Sequence, residues 1–242
     1  MKVGTDGVLL GAWAAVPSVP AMPATPSVPA SSYATGNLPD SSFDADAACR
    51  ILDVGTGTGV VAMMLAQRYP TARLTAIDID EGACRQAREN VAASPFAHRI
   101  KVSCEAVQQH EGCYDAVVSN PPFFTDSLKA PDKQRTLARH TDSLPYGALM
   151  EAAWRLLGDG GELSVIVPFD YRRRMDDEAV FRGFFPCRVC AVSTVAGKPP
   201  RRYLLAFRKH PAEQVVVEEG IIETAPNERS SWYRELTKDF YL

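Results

Sequence analysis

Seven consecutive residues constrain this chain more than any others. Asp53-Val54-Gly55-Thr56-Gly57-Thr58-Gly59 follows a short apolar run, Ile51-Leu52-Asp53-Val54, and precedes a stretch of helical periodicity from Val60 to Arg68. Glycines at such a junction let the backbone turn tightly and let a ligand approach the main chain closely. Downstream, strand-like and helical runs alternate. Arg73 to Ile77, Ile100 to Ser103, Tyr114 to Ser119 and Glu162 to Val167 read as strands. Glu81 to Ala92 and Tyr146 to Leu157 read as helices, the second stopping at Gly158-Asp159-Gly160-Gly161. Alternating units of this size predict an α/β fold, a mostly parallel sheet with helices on both faces. Cys187 to Val195 and Tyr203 to Phe207, joined by a Gly-Lys-Pro-Pro turn, predict an antiparallel edge hairpin, and Asn227 to Phe240 a terminal amphipathic helix.

One domain accounts for all 242 residues. It is interrupted at about 16–47, where Pro17, Pro20, Pro23, Pro26 and Pro29 recur every third residue among Ala, Ser and Val. Such a composition builds no helix or central strand and buries little, so a disordered surface insertion is expected.

The glycine turn implies a nucleotide-type pocket. Asp78, at the end of the next strand, is placed to accept hydrogen bonds from ribose hydroxyls, at the carboxyl ends of the strands where open α/β sheets bind ligands. The glycines run G-x-G-x-G, and Val60 stands where a dinucleotide fingerprint has its third glycine. A carboxylate just before the loop, Asp53, suits a cationic ligand better than a pyrophosphate. A nicotinamide enzyme is the alternative at this point.

Asn120-Pro121-Pro122-Phe123 leaves the carboxyl end of the Tyr114–Ser119 run. The prolines fix φ and hold Asn120 extended, which sets its carboxamide rigidly in the cleft. An exocyclic amine on an aromatic base is a poor nucleophile because its lone pair is delocalised into the ring. Two acceptors, the Asn120 side-chain oxygen and the Pro121 carbonyl, can bind both amine hydrogens and favour a pyramidal nitrogen. Phe123 can stack on an extruded base. No strong base is needed, since positioning and prearranged dipoles supply the gain.

Net charge is only −3, so the whole surface is no polyanion binder. Clusters in the last third nonetheless permit RNA contact: Arg172-Arg173-Arg174, then Lys198, Arg201 and Arg202. No apolar stretch approaches a bilayer span, and Gly4 and Asp6 interrupt any signal-peptide pattern, so a cytoplasmic protein without membrane attachment is expected. Cys187-Arg188-Val189-Cys190 lacks a second ligand pair, which argues against a metal.

The Asp-x-Gly-x-Gly-x-Gly string resembles the first motif of class I S-adenosylmethionine-dependent methyltransferases. Further strings narrow the resemblance. Lys2-Val3-Gly4-Thr5-Asp6-Gly7 with Leu9-Leu10-Gly11-Ala12-Trp13, Asn120 to Ser127, Ala138-Arg139-His140, and the ending Leu236-Thr237-Lys238-Asp239-Phe240-Tyr241-Leu242 are similar to bacterial tRNA1(Val) adenine N6-methyltransferases. The likeness covers nearly the whole chain except the Pro-rich segment, which has no counterpart in the family pattern. That family usually carries additional residues ahead of Lys2.

The resemblance implies a Rossmann-like class I fold with a seven-stranded sheet and S-adenosylmethionine as cofactor. It implies tRNA as partner, modified at the adenine just 3′ of the anticodon. By position, Gly4, Thr5 and Asp6 would line the methionine end of the cofactor, and Asp53, Gly55 and Gly57 its floor. Asp78 would hold the ribose, Glu105 would sit near the adenine, and Asn120 to Phe123 would hold the target amine. His140 reads as a loop residue, a contact to RNA phosphate or a general base, the last of which the proposed chemistry does not need. Ribosomal RNA guanine N2-methyltransferases and protein-glutamine methyltransferases share the Asn-Pro-Pro-aromatic corner and stay open as alternatives, as does a cofactor-binding protein without catalysis.

Overall fold

The computed structural model describes residues 4–17, 49–122 and 144–240. Phe123, Phe124, Arg139, His140 and nearly all of the Pro-rich stretch lie outside them. The chain opens with α1 (Thr5–Trp13), then winds β1 (Cys49–Val54), α2 (Val60–Arg68), β2 (Ala72–Asp78), α3 (Glu81–Ala92), β3 (Ile100–Cys104) and β4 (Tyr114–Ser119). α4 (Tyr146–Leu156), β5 (Leu157–Pro168) and α5 (Arg172–Phe181) follow. β6 (Phe185–Val195), β7 (Arg202–Arg208), β8 (Val216–Ala225), β9 (Glu228–Arg229) and α6 (Ser231–Thr237) complete the described chain.

These strands form one sheet in the order β3-β2-β1-β4-β5-β7-β6-β8-β9. The first five are parallel, and β7 runs antiparallel to both β5 and β6. Burial on both faces explains the near-continuous apolar runs of the parallel strands. In β1, Cys49 and Ile51 face one core with α1, α2, α3 and α6, while Leu52 and Val54 face the other with α4 and α5. Ile51 and Leu52 are fully buried. Each contributes about 1.5–3 kcal/mol relative to exposure.

Local chemistry sets the helix starts. Asp80 caps α3 by accepting from the backbone N–H of Gly82 at 2.6 Å and Ala83 at 3.1 Å. α1 lies close over α2 because glycines face it. A Cβ at Gly7 would meet Val60 Cγ1 at 3.2 Å, and one at Gly11 would meet Met64 Sδ at 2.8 Å. The first turn of α1 is thereby brought to the first turn of α2.

Four expectations need correction. The sheet has nine described strands and not seven, because Val216–Ala225 and Glu228–Arg229 extend it. The hairpin of β6 and β7 is therefore internal, with β8 pairing parallel to β6. The terminal helix is short, since Glu228–Arg229 pairs with β8 and the Ser230 hydroxyl accepts from Tyr233 N–H at 3.0 Å to start α6 only at Ser231. Val16, assigned to the insertion, is a core residue whose N–H donates to the Tyr69 hydroxyl at 3.2 Å.

Glu162, fully buried on β5, is held by Arg188 at 2.7 Å and Arg208 at 2.9 Å from the hairpin. Removing one partner from a buried ionic cluster is costlier than the cluster is worth, because the remaining charges stay desolvated. Glu162→Ala is expected to destabilise the fold by about 3 kcal/mol. Chemical denaturation checks this, and a change under about 1 kcal/mol would mean the arginines rehydrate freely.

Candidate active site

The parallel register places the predicted residues at one end of the sheet. Val54 pairs with Ser119 across β1 and β4 and with Ile77 across β1 and β2, while Asp78 pairs with Cys104. Gly55, Asp78, Glu105 and Asn120 therefore sit side by side at the carboxyl ends of four neighbouring strands. The strand order reverses at β1, where ligands bind in open α/β sheets. A cavity of about 420 Å³ opens there, lined by Gly55, Gly57, Asp78, Glu105, Asn120, Pro121 and Pro122 together with Ile79, Val107 and Gln108.

The glycine turn is left-handed at three positions, with φ of +71° at Gly55, +57° at Gly57 and +80° at Gly59. An added Cβ at Gly55 would meet no atom within 4 Å, so the backbone there is open to a ligand. Its amides are engaged from within. Gly55 and Thr56 N–H donate to the Ile77 carbonyl at 2.9 and 3.0 Å, and Gly57 N–H to Asp78 Oδ2 at 2.9 Å. Asp53 is buried beneath the turn, where it accepts from Thr56 Oγ1 at 2.6 Å and Ala62 N–H at 3.2 Å. A carboxylate thus occupies the start of α2, where a pyrophosphate would need free N–H groups. That arrangement disfavours the dinucleotide alternative. Asp53 does not line the cavity; it shapes the turn from below.

Asn120 Oδ1 is buried and has no hydrogen-bond partner among the described residues. A buried acceptor left unpaired costs about 1–3 kcal/mol, which a donor-bearing ligand would recover. Ser119 beside it donates to the Val54 carbonyl at 2.9 Å, which ties the corner to β1.

Gly4, Thr5 and Asp6 sit at the start of α1 and do not line the cavity. Asp6 is paired with Arg202 at 2.5 Å; burial raises its pKa, and the guanidinium partly offsets this. Arg202 is accordingly engaged within the fold. Of the other predicted RNA contacts, Arg172 pairs with Asp176 at 3.3 Å and lies 4.3 Å from the Tyr203 ring centre. Arg174 lies over the Tyr146 ring at 5.9 Å. Arg173, Lys198 and Arg201 are exposed.

Sequence reading missed Ile79, an exposed apolar wall of the cavity directly after Asp78. It also missed Phe169, half exposed just past β5, its ring 5.9 Å from that of Tyr203. Position after a strand end was the available signal for both. Cys187 and Cys190 are buried free thiols, and Cys187 Sγ donates to Glu162. Among the described residues no cluster of three His, Cys, Asp or Glu could hold a metal, and no helix is long and apolar enough to cross a membrane.

Residues 37–184 match the methyltransferase small domain family. The tRNA1(Val) (adenine(37)-N6)-methyltransferase of Phocaeicola vulgatus is 43% identical over 244 residues, covering 100% of this chain and 91% of the relative. That of Flavobacterium johnsoniae is 37% identical over 248 residues, covering 100% and 93%. The chain belongs to this tRNA1(Val) adenine N6-methyltransferase family. Its fold is that of class I methyltransferases. The structure of a predicted O-methyltransferase, Atu636 from Agrobacterium tumefaciens, superposes with a TM-score of 0.65 at 18% identity over 97% of this chain and 96% of that one. TrmN from Thermus thermophilus gives 0.50 at 22% identity over 69% and 46%.

In this family member, burial pushes the Asp53 carboxyl from its ordinary 3.8 up to about 7, with the Thr56 and Ala62 hydrogen bonds opposing and the nearby Asp78 charge adding to the rise. Such a group binds its proton more tightly in the folded state. Its contribution to stability is fully present below about pH 4 and is lost as pH rises through about 7. Asp53→Asn is expected to flatten the fall of the unfolding temperature across that interval in scanning calorimetry. Parallel curves for the two proteins would remove the buried acid as its cause.

Proposed function

We propose that this protein transfers a methyl group from S-adenosylmethionine to the exocyclic N6 of an adenine in tRNA, the adenine at position 37 of tRNA1(Val) as in its relatives' names. The observation that carries the reading is the buried, unpartnered Asn120 oxygen, in register with an open glycine turn. S-adenosylmethionine supplies an electrophilic methyl group on a sulfonium.

The residues present fit that cofactor. Asp78 keeps lone pairs on both oxygens beyond its bonds to Gly57 and Asp80 N–H, and can accept from ribose hydroxyls. Gly55 and Gly57 allow close approach, with Asp53 holding their turn in shape. Glu105 would take the adenosyl end, and Gly4, Thr5 and Asp6, at the start of α1 and outside the cavity lining, are assigned to the methionine end by the family resemblance.

Asn120 Oδ1 and the Pro121 carbonyl accept the two amine hydrogens of the target base. This draws the nitrogen out of conjugation and aims its lone pair into the cavity. The Asn-Pro-Pro-Phe pattern gives Phe123, outside the described residues, the role of stacking on the extruded base. The extra proton carried by the methylated nitrogen is strongly acidic and passes to water, so no side chain must act as base.

RNA docking is supported by the arrangement around this end of the sheet. Pro168 on β5 pairs with Arg202 on β7 and Phe169 N–H donates to the Arg201 carbonyl at 3.0 Å, so Phe169 and Arg201 adjoin at the same end of the sheet as the corner, with Lys198 in the turn before β7 and Arg173 at the start of α5. An exposed aromatic ring among cations suits an unstacked base and its phosphates.

Asn120→Ala should retain S-adenosylhomocysteine binding by calorimetry and lose at least about a hundredfold in transfer of labelled methyl to tRNA1(Val). Retained transfer would remove the amine clamp. Asp78→Ala should weaken binding of the same ligand by about tenfold, as one lost hydrogen bond to a charged group would. Transfer to ribosomes or release factor in place of tRNA, or to a transcript lacking adenine 37, would overturn the substrate. Phe169→Ala should raise KM for tRNA about tenfold, while Phe169→Trp keeps it, as expected for one stacked base. An unchanged KM would show the ring to be an ordinary exposed apolar residue.

A further inference from the structure

The cavity wall opposite Asn120 is the loop after β3, and it is braced in an unusual way. Glu105 lines the cavity, and its Oε1 lies 3.1 Å from His110 Nδ1. His110 Nε2 lies 2.7 Å from the Tyr114 hydroxyl on β4. The imidazole is buried, whereas a third of the Glu105 side chain is exposed, at 33%. Arg155 on α4 clamps the same loop, donating Nη1 to the His110 carbonyl at 2.6 Å and Nη2 to the Val107 carbonyl at 3.1 Å. Gly112, at φ +148°, leaves room for the Tyr114 ring, since a Cβ there would meet Cε2 at 2.8 Å.

A carboxylate only accepts, so His110 Nδ1 must bring the proton to Glu105. In the neutral ring Nε2 is then the acceptor, and the Tyr114 O–H donates to it. This one-way chain fixes the imidazole tautomer and the Glu105 rotamer together. One Glu105 oxygen is held, and Oε2 has no further partner among the described residues.

We propose that His110 and Tyr114, with Arg155 holding their loop, are positioning residues that present Glu105 Oε2 to an N–H or O–H donor on the adenosyl group of the cofactor. The inference rests on the S-adenosylmethionine reading above. With Asp78 it lines the adenosyl pocket with two carboxylates. They select a nucleoside bearing donors and repel one bearing phosphate. None of the bracing residues touches the reacting atoms, so their loss acts on cofactor capture and leaves the chemical step alone.

The test compares wild type, His110→Ala, His110→Asn, Tyr114→Phe and Asp78→Ala by calorimetry with S-adenosylhomocysteine and by steady-state transfer to tRNA. His110→Ala should raise the Kd and the cofactor KM by roughly tenfold, with kcat at saturating cofactor and KM for tRNA within about twofold. His110→Asn, whose amide N–H falls near the Nδ1 position, should restore most of the affinity. Tyr114→Phe should weaken binding by roughly threefold, because the tautomer is no longer held.

An unchanged Kd in His110→Ala, with binding lost in Asp78→Ala, overturns the positioning role and spares the cofactor reading. Loss of kcat, both KM values and unfolding temperature together, without rescue by Asn, also overturns it, as packing alone would do that. Failure of the wild type to bind the ligand overturns the cofactor reading, and this inference with it.

Discussion

Everything at the site depends on the pairing of β1 with β4. These strands are distant in sequence, yet parallel hydrogen bonding fixes Val54 opposite Ser119, so the next residue of each, Gly55 and Asn120, emerges beside the other. Adjacent strands lie about 4.8 Å apart, which sets the scale of the cleft before any side chain is considered. The chain turns to one side after β1 to make α2, and β4 enters on the other side. The opening between them is a consequence of topology. What the sequence adds is the choice of residues at that opening: backbone without side chains on one lip, and a carboxamide locked by two prolines on the other.

The electrostatics of the cleft are divided in the same way. On the β2 and β3 side the wall is acidic, with Asp78 and Glu105, and it carries Ile79 and Val107 as apolar surface. On the β5 and β7 side cations are in excess, with Arg173, Lys198 and Arg201 exposed against Asp170 and Asp177. A nucleoside-bearing cation and a polyanion can therefore approach the same strand ends from opposite directions without competing. The net charge of −3 conceals this separation, because it averages two fields that act on different ligands.

Much of this was legible in the sequence where local chemistry decides structure. Val60–Arg68, Glu81–Ala92 and Tyr114–Ser119 fall where periodicity, helix-forming residues and apolar runs put them. The parallel half of the sheet was readable because its strands are apolar on both faces. The far edge was not. Val216 to Glu219 on β8 are all exposed, so that strand shows neither alternation nor a continuous apolar run. α5 was hidden by its own arginines, which suggested a phosphate-binding patch. Its Arg172–Asp176 and Arg173–Asp177 pairs at i,i+4 spacing were the overlooked helical signal. His110 was likewise invisible, since its meaning lies in two partners on different elements.

The least legible feature is how the N-terminal motif is used. Gly4, Thr5 and Asp6 came from resemblance as cofactor residues, and Arg202 from charge clustering as an RNA contact. The fold instead joins Asp6 to Arg202, linking the first turn of α1 to the start of β7. Neither charge is available in full to an outside ligand while that bridge stands. Both are partly buried, so the pair resists screening better than an exposed one. Gly7 and Gly11 press the same helix onto α2. α1 is thus packed along α2 through Gly7 and Gly11 and tied through Asp6, in its first turn, to the start of β7. A motif that reads as a ligand contact also carries a bridge within the fold, so the same few residues fix the position of α1 against β7.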